Sequence, residues 1–247
     1  SVLQLDQAKP GSGYALNVAV KDSSNRIIAE RCDEFRFPVQ EAWNNTAAGI
    51  SERVPVPWTD MVYDGSTVKV WGREYRLNES GLPRSIISMD GELLASPVTL
   101  HLSGASGKVD LNGMKFAFLE RKPTEARFRS TRHGKDFDLT VTGLLEYDGF
   151  LWYDVELRPH GKVNISQFQL EIPVRKDAAR FVMLNRSGSA YATLDTAEKL
   201  HGNQPFFQQM LFCNDERGLA YFTESDEFYH PRAAASATEL KPAADAL

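Results

Sequence analysis

The chain has 247 residues, of which 42% are hydrophobic and 25% charged, values typical of a globular protein with one large β domain or two smaller domains. Its formal net charge of −5 argues against a general nucleic-acid-binding protein. The sequence contains no apolar run near the roughly 20 residues that a membrane-spanning helix requires. Cys32 and Cys213 lack metal-ligand spacing, and we interpret them as free, buried thiols.

The first 40 residues predict part of a small β module. Two alternating stretches separated by a turn occupy residues 14–32, and Phe35 begins a further alternating run. Because two or three strands rarely bury a core by themselves, we interpret residues 1–40 as the end of a truncated β-sandwich module. Residues 41–58 contain Pro55 and Pro57 and predict a stiff linker.

The segment from residue 68 to residue 94 predicts a β-meander. An alternating strand precedes Gly72, and beyond that glycine the apolar phase changes by one residue, as at a bulge or a sharp bend. Residues 84–89 predict another strand, followed by a tight hairpin turn at Asp90-Gly91. Further short strands are predicted at residues 98–102, 116–120, 127–131, 210–213 and 218–223.

Three later stretches depart from simple alternation. Residues 163–172 carry a second change of apolar phase, and residues 177–200 are less regular. Residues 236–247 are rich in alanine and predict a frayed tail. The main β domain is therefore expected to extend over residues 59–235.

The hairpin between residues 138 and 157 is the most fully specified element. A two-residue turn would pair apolar residues with polar ones and mix the two faces. A three-residue loop, Tyr147–Gly149, instead pairs Val141 with Val155 and keeps the apolar residues on one face. We therefore predict the three-residue loop, with its glycine in the left-handed conformation.

This register predicts a candidate carbohydrate-binding face. It places Phe150 and Trp152 on the same strand face as Asp154 and Glu156. Sugar rings stack on exposed aromatic side chains, and neighbouring carboxylates accept hydrogen bonds from their hydroxyl groups. The alternative interpretation is that Trp152 packs against the opposite sheet or against another domain of a larger protein.

Other patterns give weaker indications of chemistry, and we assign no catalytic, cofactor or metal-binding residue. The adjacent acids Asp215 and Glu216, and the pair Glu224 and Asp226, are interpreted as solvated turn residues rather than as glycosidase carboxylates. The five histidines are scattered without metal-ligand spacing, and no nucleophile-elbow motif is present. Seven basic side chains lie between residues 121 and 135; we interpret them as a solvated strand face, with an anionic-ligand patch as the alternative.

Short strands with frequent turn signals, and no long amphipathic helix, predict an all-β fold, namely a large antiparallel β-sandwich. Five segments in order resemble the β-sandwich domain that precedes the catalytic barrel in glycoside hydrolase family 123-like proteins, the β-N-acetylgalactosaminidase-like group. They are VPVPW (54–58), VWGREYRL (70–77), GLPRSI (81–86), EYDGFLWYDVEL (146–157) and NDERGLAYFTESD (214–226). The resemblance implies a galactose-mutarotase-like supersandwich.

The resemblance also implies a role. In that family the domain is followed by a (β/α)8 barrel that holds the catalytic carboxylate, and this chain shows no repeating βα pattern, so no catalytic residue is carried over. We expect a non-catalytic domain that supports such a barrel and contacts glycan, in an exported protein, periplasmic or extracellular. The alternatives are a free-standing carbohydrate-binding module and a supersandwich lyase or epimerase with convergent polar groups.

Overall fold

The computed structural model describes residues 8–39, 41–47, 49–104, 107–185, 193–196, 202–227, 229 and 237–241. These residues form twenty β-strands and no helix, so the fold is all-β, as predicted. They accordingly contain no helix of the length and apolarity that crossing a membrane requires. The chain divides into two compact units, Ser1–Ser51 and Glu52–Leu247, at a point within the predicted linker of residues 41–58.

The first unit contains a single long hairpin among its described residues. Strand β1 (Gly13–Lys21) pairs antiparallel with β2 (Ile27–Arg36). Tyr14 lies opposite Phe35, and their stacked rings have centroids 5.9 Å apart. Phe35 therefore belongs to the second strand and does not begin a third, because β2 continues without interruption. Cys32 is a free thiol that is exposed rather than buried, and this corrects our interpretation of it.

The second unit contains five antiparallel sheets in the described ranges. The five-stranded sheet comprises β3 (Val62–Asp64), β4 (Thr67–Val70), β5 (Arg73–Leu77), β6 (Pro83–Ser88) and β7 (Gly91–Glu92). The first four-stranded sheet comprises β10 (Lys115–Arg121), β11 (Glu125–His133), β12 (Phe137–Glu146) and β13 (Leu151–Pro159).

The remaining sheets are smaller or more interrupted along the chain. The three-stranded sheet has the order β14 (Ile165–Glu171), β8 (Thr99–Gly104) and β9 (Gly107–Lys108). The second four-stranded sheet has the order β16 (Thr193–Thr196), β15 (Phe181–Asn185), β18 (Gln209–Cys213) and β19 (Gly218–Phe222). The two-stranded sheet pairs β17 (Gly202–Gln204) with β20 (Thr238–Leu240).

One apolar core joins these sheets into a large antiparallel sandwich. In β12 every second residue from Phe137 to Leu145 is buried, as expected for a strand with one face on the core. These side chains belong to the same buried cluster as Val68 and Leu77 of the five-stranded sheet. Full burial of a leucine or valine stabilises the fold by about 1.5–3 kcal/mol. The buried side chains of β12 therefore contribute much of the free energy that favours formation of this sheet.

The change of apolar phase at Gly72 comes from a hairpin turn and not from a bulge within one strand. Val70 pairs directly with Arg73, which leaves Trp71 and Gly72 as a two-residue turn in which the glycine has a φ of 69°. The next turn is also displaced from its predicted position. Ser88 pairs with the first residue of β7, so the turn is Met89-Asp90 rather than Asp90-Gly91.

Three predictions for the later chain have different outcomes. The phase change in residues 163–172 is confirmed as a register shift between Ile165 and Gln167. Residues 177–200 are more regular than predicted, since they contain β15 and β16; residues 186–192 and 197–200 lie outside the described residues. In the predicted frayed tail, β20 is paired and Leu240 is buried, so this part is not frayed. Residues 236 and 242–247 lie outside the described ranges.

Candidate functional site

The hairpin of β12 and β13 forms with the predicted register. Val141 pairs with Val155, and Leu145 pairs with Leu151. The loop contains three residues, and Gly149 adopts a φ of 89° while its amide donates to the Glu146 carbonyl oxygen at 2.9 Å. A left-handed residue closes such a loop with little strain only when it is glycine. The predicted three-residue loop is therefore confirmed.

The five-stranded sheet holds this loop in place through side-chain donors. The Tyr75 hydroxyl donates to the Gly149 carbonyl oxygen at 2.8 Å, and the Arg73 guanidinium donates to the Asp148 carbonyl oxygen at 2.6 Å. Burial raises the pKa of Tyr75 to about 12, so its hydroxyl stays protonated and remains a donor at neutral pH. The hairpin is thus anchored to a second sheet at its turn.

A second buried tyrosine joins the same two sheets further along the hairpin. The Tyr153 hydroxyl donates to the Gly81 carbonyl oxygen at 2.8 Å. Burial raises the pKa of Tyr153 well above its ordinary value, so this hydroxyl also remains a donor. Because Tyr153 lies on the core face of β13, its neighbours Trp152 and Asp154 are directed to the opposite face.

The predicted candidate residues do share one face of the sheet. Trp152 pairs with Leu144, Asp154 with Thr142 and Glu156 with Thr140, and directly opposed residues of an antiparallel pair lie on the same side. Asp154 and Glu156 are exposed, whereas Trp152 is half-buried. We call this side, which faces away from the core, the outer face of the first four-stranded sheet. Glycan binding by these residues stays a prediction.

Three aromatic side chains lie in a row at one end of the outer face. Phe150 and Trp152 stack, with ring centroids 6.3 Å apart and an interplanar angle of 27°. Phe150 also packs against Phe222 of β19, with centroids 5.7 Å apart. Phe150 is therefore the residue that contacts the neighbouring sheet, and Trp152 extends the row along the outer face.

Phe222 was not among the sequence candidates, although its side chain is 43% exposed. The alternation in β19 places Phe222 and Ala220 on one side and Tyr221 on the other. That pattern signals an aromatic residue on the less buried side of a strand. Its proximity to Phe150 depends on how two sheets meet, and no local pattern predicts that contact.

Most of the basic side chains between residues 121 and 135 have local partners. The Arg121 guanidinium carbon lies 4.3 Å from the Phe118 ring centroid, an arrangement typical of a cation–π contact. Arg127 contacts Glu125 at 3.0 Å, and Lys122 contacts Glu120 at 2.8 Å. These contacts agree with the interpretation of a solvated strand face.

Two histidines predicted to be scattered meet around one carboxylate. The Nδ1 atom of His133 lies 3.2 Å from Oδ1 of Asp138, and Nε2 of His160 lies 3.3 Å from Oδ2. The Nδ1 atom of His160 also lies 3.1 Å from the Lys135 carbonyl oxygen. Only the protonated imidazolium donates from both ring nitrogens, so this geometry favours charged His160.

The pKa directions follow from these contacts. The hydrogen bond to the Lys135 carbonyl oxygen, and then that to Asp138, raise the pKa of His160. Burial tends to raise the pKa of Asp138, but hydrogen bonds from His160 and His133 outweigh it and lower the pKa overall. Across the described part of the chain, no group of three His, Cys, Asp or Glu side chains is arranged to hold a metal ion.

The acidic residues near the end of the chain lie at the surface. Asp215 forms a 2.9 Å ion pair with Arg180, and both side chains are largely exposed. The neighbouring Glu216 lies in the same turn between β18 and β19 and is also exposed. Glu224 and Asp226 follow β19 and are exposed as well. These positions agree with the interpretation of solvated turn residues.

The comparison with known families gives one match. A family profile described as "Glycoside hydrolase 123, third domain" matches residues 61–236, which include all of the strands from β3 to β19. Four of the five segments on which the sequence resemblance rests lie inside this range. The comparison with curated proteins found no match to the chain. Because the profile covers well over half of the chain, the chain belongs to the glycoside hydrolase 123 third-domain family.

Proposed function

We propose that this chain is a non-catalytic β-sandwich of a larger glycoside hydrolase and that the outer face of its first four-stranded sheet contacts glycan. Family membership supports the glycoside hydrolase parent. The main support for glycan contact is the stacked pair of Phe150 and Trp152, which lies beside the exposed carboxylates of Asp154 and Glu156. This combination matches the apolar faces and the hydroxyl rims of sugar rings.

Backbone pairing and side-chain hydrogen bonds order the outer face in the absence of a ligand. Strands β12 and β13 pair continuously from Phe137 to Leu145 against Leu151 to Pro159. The loop that joins them is fixed by donors from Arg73 and Tyr75. A preordered site loses little conformational entropy on binding, which favours affinity for a flexible oligosaccharide. The binding residues proposed here all lie on β13 or immediately before it.

Apolar side chains at a sheet edge support a role in buttressing a catalytic barrel. Phe168 and Leu170 of the edge strand β14 lie opposite the largely buried residues Leu102 and Leu100, yet they are 50% and 40% exposed. Exposed apolar surface of this kind is typical of contacts between domains. We propose that the barrel of the parent protein covers this edge.

Hydrogen–deuterium exchange tests the buttressing role. The amides of β14 should exchange more slowly in the full parent protein than in this chain, because the barrel would shield the edge strand. The amides of β19 serve as the comparison, since that strand carries a different edge. Equal exchange of β14 in the two proteins would contradict the proposed contact.

A free-standing carbohydrate-binding module is the second candidate, and it would use the same outer face. A lyase or epimerase would need polar groups that converge on a substrate. The contacts of His101 with Glu171, and of Asp138 with its two histidines, each join one partly exposed side chain to an exposed one. That placement favours a binding role over a catalytic one for the chain.

Calorimetric titration tests the glycan contact. We would titrate the chain and its Trp152→Ala variant with oligosaccharides that contain N-acetylgalactosamine and with acidic glycans. Truncation of a central aromatic contact typically costs about 2 kcal/mol, or roughly 30-fold in affinity. The control is Trp71→Ala, since Trp71 is 50% exposed in the turn between β4 and β5.

The expected result is saturable binding by the chain and by Trp71→Ala, with a large loss in a folded Trp152→Ala variant. Equal affinity of the two tryptophan variants would place the glycan elsewhere. Absence of heat with every glycan would overturn the proposal of glycan contact, and the buttressing role would then rest on the exchange experiment alone.

A further inference from the structure

One row across the outer face of the first four-stranded sheet carries opposite charges at two of its positions. Arg129 of β11 pairs with Ala117 of β10 on one side and with Thr142 of β12 on the other. Thr142 also pairs with Asp154 of β13, so these four residues form one row across the sheet. Arg129 and Asp154 are both exposed and lie two strands apart in this row. The β13 position of the row is therefore anionic, and the β11 position is cationic.

Arg129 differs from Arg127, the preceding basic residue on the same face, because no carboxylate holds it. Arg127, two residues earlier on the same face, contacts Glu125 at 3.0 Å and Glu120 at 3.7 Å. Among the residues that the structure describes, none forms an ion pair with Arg129. Its cross-strand neighbours Ala117 and Thr142 are short and leave the guanidinium accessible.

A second cation and a hydroxyl lie beside Arg129. Lys115 of β10 is exposed and pairs with Thr131, the residue two positions after Arg129. Diagonal neighbours of this kind are about 7–8 Å apart at the backbone, which long side chains readily bridge. No described carboxylate forms an ion pair with Lys115 either. Two unpaired cations and one hydroxyl can thus reach a common point above the sheet.

We propose that the glycan bound on the outer face carries an anionic group, a carboxylate or a sulfate, and that Arg129 binds this group with Lys115 and Thr131. A guanidinium donates two parallel hydrogen bonds to such an oxyanion, which gives both affinity and orientation. This inference rests on the proposed function, because it names the class of glycan that the same face selects.

The geometry also fixes how the ligand lies. Trp152 is two strands and two residues away from Arg129, or about 10 Å across the sheet and about 7 Å along it. The separation of roughly 12 Å exceeds a single sugar ring, so the anionic group belongs to a different ring from the one on Trp152. Asp154 repels the anion from the β13 side and so enforces one direction of binding.

The test uses two matched pairs of probes. One pair is an oligosaccharide of uronic acids and its carboxyl-reduced counterpart; the other is a sulfated oligosaccharide and its desulfated counterpart. In at least one pair the acidic probe should bind the chain at least about tenfold more tightly, with a preference that weakens as salt is added. Arg129→Gln should remove most of the preference for the acidic probe and leave neutral binding unchanged.

Arg127→Gln is the matched control, because its guanidinium is already held by two carboxylates. It should retain most of the preference for the acidic probe. Equal affinity of the chain for acidic and neutral probes, or a preference that Arg129→Gln leaves undiminished, would overturn the inference. Retained circular dichroism and urea midpoint confirm that each variant is folded.

The two proposals fail in different ways. If Trp152→Ala abolishes binding of neutral and acidic probes while Arg129→Gln changes neither, glycan contact stands and the anionic class is wrong. If Trp152→Ala changes no affinity, the outer face is not the site, and both proposals fall. Binding of no probe at all would likewise overturn both.

Discussion

The Tyr75 hydroxyl donates a hydrogen bond to the Gly149 carbonyl oxygen across 2.8 Å, and this bond joins the five-stranded sheet to the hairpin that carries Trp152. Tyr75 is only 5% exposed, so water does not replace the bond if it is lost. The position of the proposed binding face therefore depends on a residue that lies outside it.

Tyr75→Phe should lower the free energy of unfolding by about 1–2 kcal/mol, because the Gly149 carbonyl oxygen loses its donor. Urea unfolding followed by tryptophan fluorescence measures the change. Tyr147→Phe in the same hairpin loop is the control, since no described residue forms a hydrogen bond with the Tyr147 hydroxyl. If both variants unfold at the same urea concentration as the parent chain, the bond contributes nothing to stability.

Gly149→Ala should destabilise the chain by about 1–2 kcal/mol, because residue 149 has a φ of 89°, where an alanine is strained. An added β-carbon would also lie 2.9 Å from the Tyr75 hydroxyl oxygen. Gly161→Ala is the matched control, since a β-carbon there meets no atom within 4 Å. Thermal unfolding that ranks Gly161→Ala as the more harmful substitution would contradict the loop geometry.

His160 should titrate above the ordinary histidine value of about 6.5, because the Lys135 carbonyl oxygen and Asp138 both accept from its charged form. NMR titration of the imidazole signals measures this pKa, and Asp138→Asn should lower it. Asp136→Asn should lower it less, because Asp136 is the weakest of the interactions that raise it. An unchanged His160 pKa in Asp138→Asn would show that the observed ion pair does not form in solution.

The same contacts define a pH window for stability. Because the pKa of His160 is raised in the folded chain, its contribution to stability is complete below about pH 6.5 and is lost as the pH rises through the pKa of the folded state. Because the pKa of Asp138 is lowered in the folded chain, its contribution to stability is complete above about pH 3.9 and is lost as the pH falls through the pKa of the folded state. The cluster therefore contributes most to stability between about pH 4 and pH 6.5, and Asp138→Asn should destabilise the chain less on either side of that range.

Two hairpins show what alternation can and cannot decide. In a hairpin with a two-residue turn, an even-numbered residue pairs with an odd-numbered one, as Val68 pairs with Tyr75. The apolar positions therefore change from even to odd numbers at the turn, and in the sequence this looks like a slip within one strand. The sequence therefore did not separate a bulge from the turn at Gly72. In a hairpin with a three-residue loop, odd-numbered residues pair with odd-numbered ones, as Val141 pairs with Val155. The alternation of apolar and polar residues therefore continues unchanged across the loop. There the apolar pattern excluded the alternative turn and led to the confirmed register.

Contacts between distant segments were beyond the sequence. Phe222 meets Phe150 because two sheets adjoin, and His133 and His160 both contact Asp138 because three strand ends adjoin. The alternation of apolar and polar residues along a strand shows which face a residue occupies, but it does not show which sheet lies next to that face. Likewise, the sequence showed seven basic side chains together, and only the ion pairs of the folded chain distinguish Arg129 from Lys122 and Arg127.

The most direct test of the glycan contact follows the indole N–H signals of the four tryptophans by NMR during titration with an N-acetylgalactosamine-containing or acidic oligosaccharide. Single substitutions assign each signal. We expect a saturable shift of the Trp152 signal, while the signals of the exposed Trp43 and Trp71 stay in place. A saturable shift at Trp43 or Trp71 with Trp152 unmoved, or no shift at any tryptophan, would contradict the proposal that this outer face contacts glycan.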